Sequence, residues 1–154
     1  MAVNPDFRDL FATLNGAGAE YLVIGAHALA VHGAPRFTKD LDILVQCTEA
    51  NAQKVWIALK EFGAPLGSLL PVDLYTPGLM FQMGIAPNRI DILTSADGID
   101  FGAAWSSKID AHYGDQPIWI MGRRDLITNK AATGRPQDLA DIEALHRLEE
   151  KGLE

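Results

Sequence analysis

The sequence predicts one mixed α/β (α+β) domain: a small mixed sheet flanked by helices, ending in a helical C-terminal segment. Short apolar runs bounded by glycine alternate with helix-periodic stretches over the first sixty or so residues. Two later segments, "DLDILV" and "RIDIL", alternate polar and apolar residues with the period of a strand. From Arg123 onward the pattern is helical and broken once, at Gly134. At 154 residues the chain is read as a single domain spanning 1–154.

Each element has its own signal. "NPDFRDLFATLNG" opens on an Asn-Pro cap and sets Phe7, Leu10, Phe11 and Leu14 at helical spacing, with Gly16 and Gly18 ending the helix. Tyr21 to Ile24 reads as a buried strand, "AHALAVHG" as a short helix, and residues 41 to 46 as a second strand. Thr48 caps an amphipathic helix that turns Val55, Trp56, Leu59 and Phe62 inward. Ala64 to Pro77 is punctuated by proline and glycine and is expected to be a loop. "LMFQMGIAPNRIDILT" predicts a hairpin turning at Ala86-Pro87-Asn88, and "IDAHYGDQPIWIMG" another strand pair around Gly114-Asp115. Pro136 falls in the first turn of the last helix.

Composition narrows the function. Apolar residues make up 48% and charged residues 21%, the balance of a globular protein. A net charge of −7 argues against nonspecific binding to nucleic acid or membranes, though metal ions could mask a site's own carboxylates from a nucleotide. Cys47 is the only cysteine, which excludes an intrachain disulfide and fits a reducing compartment. No signal-peptide layout and no membrane-length apolar run is visible, so the expected location is the cytoplasm.

The chemistry concentrates in "GAPRFTKDLDILV", residues 33 to 45. On a strand, Asp40 and Asp42 share one face while Leu41, Ile43 and Val45 face the core. Arg36 and Thr38 have the carboxylates' parity if the extended backbone begins that early, and would hold substrate phosphate or the aspartates themselves. Carboxylates so placed can converge on Mg²⁺ or Mn²⁺, which combine few carboxylates with phosphate oxygens. Asp91, on a strand with an apolar alternate face, could complete a pair of ions roughly 3.5–4 Å apart. Upstream, the strand "YLVI" runs into Gly25 and directly into a helix, a junction where free amides and the helix dipole can meet a phosphate. Taken singly, each has a plainer reading: an exposed edge for Asp-x-Asp, a turn glycine for Gly25.

Together, "VIGAHALAVHGAPRFTKDLDILV" and the later "RIDIL" resemble the nucleotidyltransferase-fold superfamily of DNA polymerase β. Its signature is a hydrophobic residue, Gly and Gly or Ser, then Asp-x-Asp about a dozen residues on, and a distant third Asp. Within it the chain is most similar to a small bacterial branch reading Gly-Gly-x-Ala-Leu, then Gly-x-x-Arg-x-Thr-x-Asp-Leu-Asp, which includes toxins, defence proteins and antibiotic-modifying enzymes. The resemblance runs from Tyr21 to Leu145. It implies transfer of a nucleoside monophosphate from a nucleoside triphosphate to a hydroxyl acceptor, with Asp40, Asp42 and Asp91 as metal ligands and catalytic residues. It also implies nucleotide contacts from Gly25 and Ala26, and from Lys130 across the site. Position 26 departs from the pattern: alanine keeps the amide but offers no hydroxyl.

That departure keeps a second expectation open: a weak or inactive module acting with a protein partner in a toxin–antitoxin or phage-defence pair. RNA, protein and small-molecule acceptors all fit the sequence, as does a homodimer. For Lys130 the plainer reading is a solvated lysine, with Arg135 pairing Asp138 or Asp141 to lock the last two helices. His27 and His32 are five apart, which does not align two zinc ligands on a helix. Trp56 is expected in the core, with Trp105 and Trp119 as packing residues or a base-stacking patch.

Overall fold

A computed structural model describes residues 3–34, 40–85 and 88–150. The elements run α1 (Pro5–Gly16), β1 (Tyr21–Ile24), α2 (Gly25–Val31), β2 (Asp40–Val45) and α3 (Glu49–Phe62). They continue through a 3₁₀ turn (Pro71–Tyr75), β3 (Met80–Met83), β4 (Arg89–Leu93), α4 (Phe101–Ser106), β5 (Ile109–Tyr113), β6 (Gln116–Ile120), α5 (Arg123–Thr133) and α6 (Pro136–Glu150). The strands form one six-stranded sheet in the order β3-β4-β2-β1-β6-β5. It is mixed: β2 pairs parallel with β4 and β1 with β6, while the other neighbours are antiparallel.

The caps follow the sequence closely. Asn4 accepts hydrogen bonds from the amides of Asp6 and Phe7, and Thr48 from that of Asn51. Gly134 ends α5 in the left-handed conformation, at φ +63°. The expected loop at 64–77 contains the 3₁₀ turn, held by the Asp73 carboxylate accepting from the Leu70 amide. Helix α4 was not expected: "FGAAWS" has no legible amphipathic period, and Asp100 caps it by accepting from the Ala103 amide. The hairpin residues Ala86 and Pro87 lie outside the described residues.

Strand register sorts the sheet's two faces. Val23, Leu41, Ile43, Ile90 and Ile92 lie on one face and are buried in the main core, which α1 and α3 also build with Phe7, Leu10, Phe11, Leu14, Val55 and Leu59. Phe11 stacks on Tyr21, with ring centroids 5.8 Å apart. The opposite face carries Ile24, Asp42 and Asp91 in adjacent register, and α5 and α6 lie beside it. One buried polar knot ties the frame: Asn51 accepts from the Glu20 amide at 2.8 Å and donates to the carbonyls of Glu20 and Gln46, each at 3.0 Å. No helix among the described residues is long and apolar enough to cross a membrane.

Candidate functional site

Parallel pairing of β2 with β4 sets Asp42 directly opposite Asp91, and Asp40 opposite Arg89. The sheet thus joins carboxylates that are nearly fifty residues apart in sequence. Asp91 is buried, whereas Asp40 is half-exposed at the strand's start. Burial pushes the Asp42 carboxyl up to about 7, helped by the charge of Asp91, a hydrogen bond with it, and the charge of Asp40. Asp42 is therefore still partly protonated near neutral pH, where it is hydrogen-bonded with Asp91.

Arg89 completes the group. Its Nε and a terminal nitrogen each donate to Asp91 at 3.2 Å, and Nε lies 4.0 Å from Asp40. The sequence reading passed over this residue, although its i, i+2 relation to Asp91 in "RID" put both on one face.

Gly25 sits against the same pair. It has φ +68°, and a Cβ there would overlap the Asp42 carboxylate, whose Cγ is only 3.2 Å from that position. Its close approach is thus to a protein carboxylate, and the chain crosses from β1 to α2 directly behind Asp42. Ile24, at the N-cap of α2, contributes no capping side chain. Ala26, by contrast, is buried in α2 and does not line the cleft.

The cleft over this face has a volume of about 400 Å³. Asp40, Asp42, Asp91, Asp97 and Asp138 line it together with Arg89, Lys130 and Arg135, and Gly25, Ser95, Asn129 and Thr133 complete its polar wall. Lys130 lines the cleft but is not the solvated lysine of the plainer expectation. It is buried rather than solvated, with Nζ 2.9 Å from Asp141 Oδ2 and 3.8 Å from Asp138 Oδ1. Arg135 pairs with Asp138, its Nε donating at 2.8 Å, but that pair is local to the turn and the start of α6; it is Thr133 of α5, donating to the same carboxylate at 2.8 Å, that spans the two helices. Burial alone would raise the Asp138 carboxyl, but hydrogen bonds from Arg135 and Thr133 hold it down to about 2. Arg36 and Thr38 lie outside the described residues.

The remaining candidates are structural. His27 packs edge-on against Phe7, at 5.6 Å between centroids, and lines a separate apolar cavity with Val23 and Leu41. His32 is buried, with Nε2 2.9 Å from the Met121 carbonyl. Trp105 and Trp119 belong to an aromatic chain running from Phe101 to Tyr21. Trp56 packs against the core.

A divalent cation is the group this donor set would suit. The carboxylates of the set are the oxygen donors such a cation takes, and the Arg89 guanidinium already stands against Asp91 as a positive group. In the present arrangement no group of three or more His, Cys, Asp or Glu among the described residues is placed to hold a metal. Full ligation by Asp40, Asp42 and Asp91 therefore requires these side chains to turn.

No family model matches the sequence, and no curated protein matches it. Among solved structures, a Thermotoga maritima protein described as a candidate nucleotidyltransferase superposes with a TM-score of 0.57 at 15% identity. The match covers 97% of this chain and 96% of that one. The likeness is one of fold, a nucleotidyltransferase fold; among the described residues of this chain it comprises a six-stranded mixed sheet and six helices, with Asp42 and Asp91 on the adjacent strands β2 and β4.

Proposed function

We propose that the protein transfers a nucleoside monophosphate from a nucleoside triphosphate to a hydroxyl acceptor, with release of pyrophosphate. The observation that carries this reading is the placement of Asp42 directly opposite Asp91, with Asp40 on the same strand face, lining a polar cleft beside Gly25. Asp40, Asp42 and Asp91 would hold Mg²⁺ or Mn²⁺, which supplies the positive charge that offsets the triphosphate. The acceptor oxygen bonds to the α-phosphorus as the bond from that phosphorus to the pyrophosphate oxygen breaks. With a cation in place of the proton on Asp42, Asp91 would take the proton of the acceptor hydroxyl. Gly25 brings the uncapped start of α2 to the cleft wall, where its amides meet phosphate oxygens. Arg36 and Thr38 flank the same strand in sequence and would add charge and a hydroxyl. Lys130 acts by holding Asp138 and Asp141 and by lending positive potential to the wall. Rate enhancement of this kind is mainly positioning and charge stabilisation.

A second reading, a weakly active or inactive binding module of a toxin–antitoxin or defence pair, draws on Ala26. That side chain has no hydroxyl and does not reach the cleft. Thermal melts with Mg²⁺ or Mn²⁺ and each of the four common ribonucleoside triphosphates separate the readings. A site filled at a hundred times its Kd adds about 2.7 kcal/mol of stability. A metal-dependent shift with one nucleotide, lost in an Asp40→Asn, Asp42→Asn double variant, supports transfer. No shift with any nucleotide supports the binding module and directs the search to a protein partner.

A further inference from the structure

The positive groups of the cleft are committed in different ways. Lys130 and Arg135 are matched to Asp141 and Asp138, carboxylates that are themselves buried and serve to join α5 to α6. Arg89 is matched to the acid pair itself. Its guanidinium forks onto Asp91 through both oxygens at 3.2 Å, approaches Asp40 at 4.0 Å, and is 39% exposed. It therefore stands over the only carboxylates of the cleft that the proposed function assigns to a metal. From i, i+2 on the same strand it can leave Asp91 by rotating its own side chain, without moving the sheet.

We propose that Arg89 is the resident counter-ion of the acid pair and exchanges partners when the site fills. A divalent cation takes Asp91 from the guanidinium, and the released fork, already on the cleft wall, turns to the substrate's phosphate oxygens, which it fits in bidentate geometry. The metal is thereby coupled to the nucleotide. Without a triphosphate to receive Arg89, metal uptake must displace an ion pair; with one, the displaced cation gains a new anion. This inference rests on the metal-binding reading of Asp40, Asp42 and Asp91, and deepens it by naming the residue that makes metal and phosphate binding cooperative.

Removing the guanidinium should shift the two kinds of binding in opposite directions, which a merely structural role would not do. The measurement is calorimetric titration of Mn²⁺ alone, and of Mn²⁺ with inorganic tripolyphosphate, into wild type, Arg89→Gln and Asp42→Asn. Arg89→Gln should bind Mn²⁺ alone roughly fivefold more tightly, the value of losing a partly exposed competing ion pair. It should bind Mn²⁺–tripolyphosphate roughly tenfold more weakly, the value of a lost charge-assisted contact. Unchanged Mn²⁺ affinity in Arg89→Gln, with binding abolished by Asp42→Asn, overturns the exchange and leaves the metal site standing. Absence of Mn²⁺ uptake by wild type and Arg89→Gln alike overturns the metal reading itself. A measurement on wild type guards against a variant that fails to fold. The Arg89 Nε–H signal, followed by nitrogen-15 NMR, should exchange faster with water as Mg²⁺ is added, and an unaltered rate at saturating Mg²⁺ refutes the release.

Discussion

Gly25→Ala should damage this protein through its backbone conformation and one contact, and the size of the damage can be worked out. Residue 25 has φ +68°, a region that costs an L-residue roughly 1–2 kcal/mol. The added Cβ falls on the Asp42 carboxylate, which cannot retreat freely because Asp91 stands opposite it on β4. Forcing such a group aside typically costs about 1–3 kcal/mol. Alanine regains about 0.4–1 kcal/mol by restricting the unfolded chain. The net loss should be about 2–4 kcal/mol, or a fall in Tm of roughly 5–15 °C for a chain of this size.

Urea melts can divide that loss between its two causes. In an Asp42→Ala background the overlapping carboxylate is gone, and only the residue's Cβ, 3.3 Å from the new methyl position, remains. The cost of Gly25→Ala should then shrink to its backbone part, leaving a coupling of about 1–3 kcal/mol between the two positions. If Gly25→Ala costs the same in both backgrounds to within about 0.5 kcal/mol, the contact with Asp42 is not why this position holds glycine.

Other positions give equally direct outcomes. The folded protein keeps a proton on Asp42 up to about pH 7, whereas the unfolded chain releases it near 3.8, so stability without metal falls as pH rises through that window and levels off above it. Asp42→Asn should remove that slope and exceed wild type in urea resistance at pH 8; parallel curves would refute it. Asn51→Leu leaves the Glu20 amide and the Glu20 and Gln46 carbonyls without their partner and should cost about 2–4 kcal/mol in the same assay. Lys130→Met takes the cation from the buried Asp141 carboxylate, at a cost of about 3–5 kcal/mol, and adding Asp141→Leu should restore most of the loss.

The strands were legible where the apolar period was unambiguous, as in "YLVI" and "DLDILV", and so was the helix pair broken at Gly134. Parity alone put Asp40 with Asp42 and Asp91 away from Ile90. What parity cannot give is register between strands: that Asp42, rather than Asp40, stands opposite Asp91 follows from the parallel pairing of β2 with β4. Lys130 illustrates a different limit. Its buried partner lies eleven residues on, across a turn, and the facing of α5 on α6 is decided by packing rather than by local pattern. Helix α4 escaped notice because a six-residue element with an internal glycine carries too little periodicity to register.

The cleft is arranged against the protein's own stability. A buried carboxyl that must keep its proton, a neighbour held in place by an arginine, and a glycine in left-handed backbone are each unfavourable beside simpler alternatives. An Asn at position 42 or a hydrophobic pair at 42 and 91 would fold at least as well. The frame around the cleft does the opposite: Asn51 is fully hydrogen-bonded, Asp138 is held well down by Arg135 and Thr133, and Lys130 is paired. Unfavourable features thus gather on the face where Asp42, Asp91, Arg89 and Gly25 meet, beside a frame in which Asn51, Asp138 and Lys130 have their partners. The cation and triphosphate proposed above would relieve them, because a ligand that binds only this folded arrangement returns the stability its residues cost. The register of β2 on β4 fixes these two acids side by side in a way a loop would not, so their mutual repulsion is met by a proton on Asp42 and by Arg89 on Asp91 rather than by their moving apart.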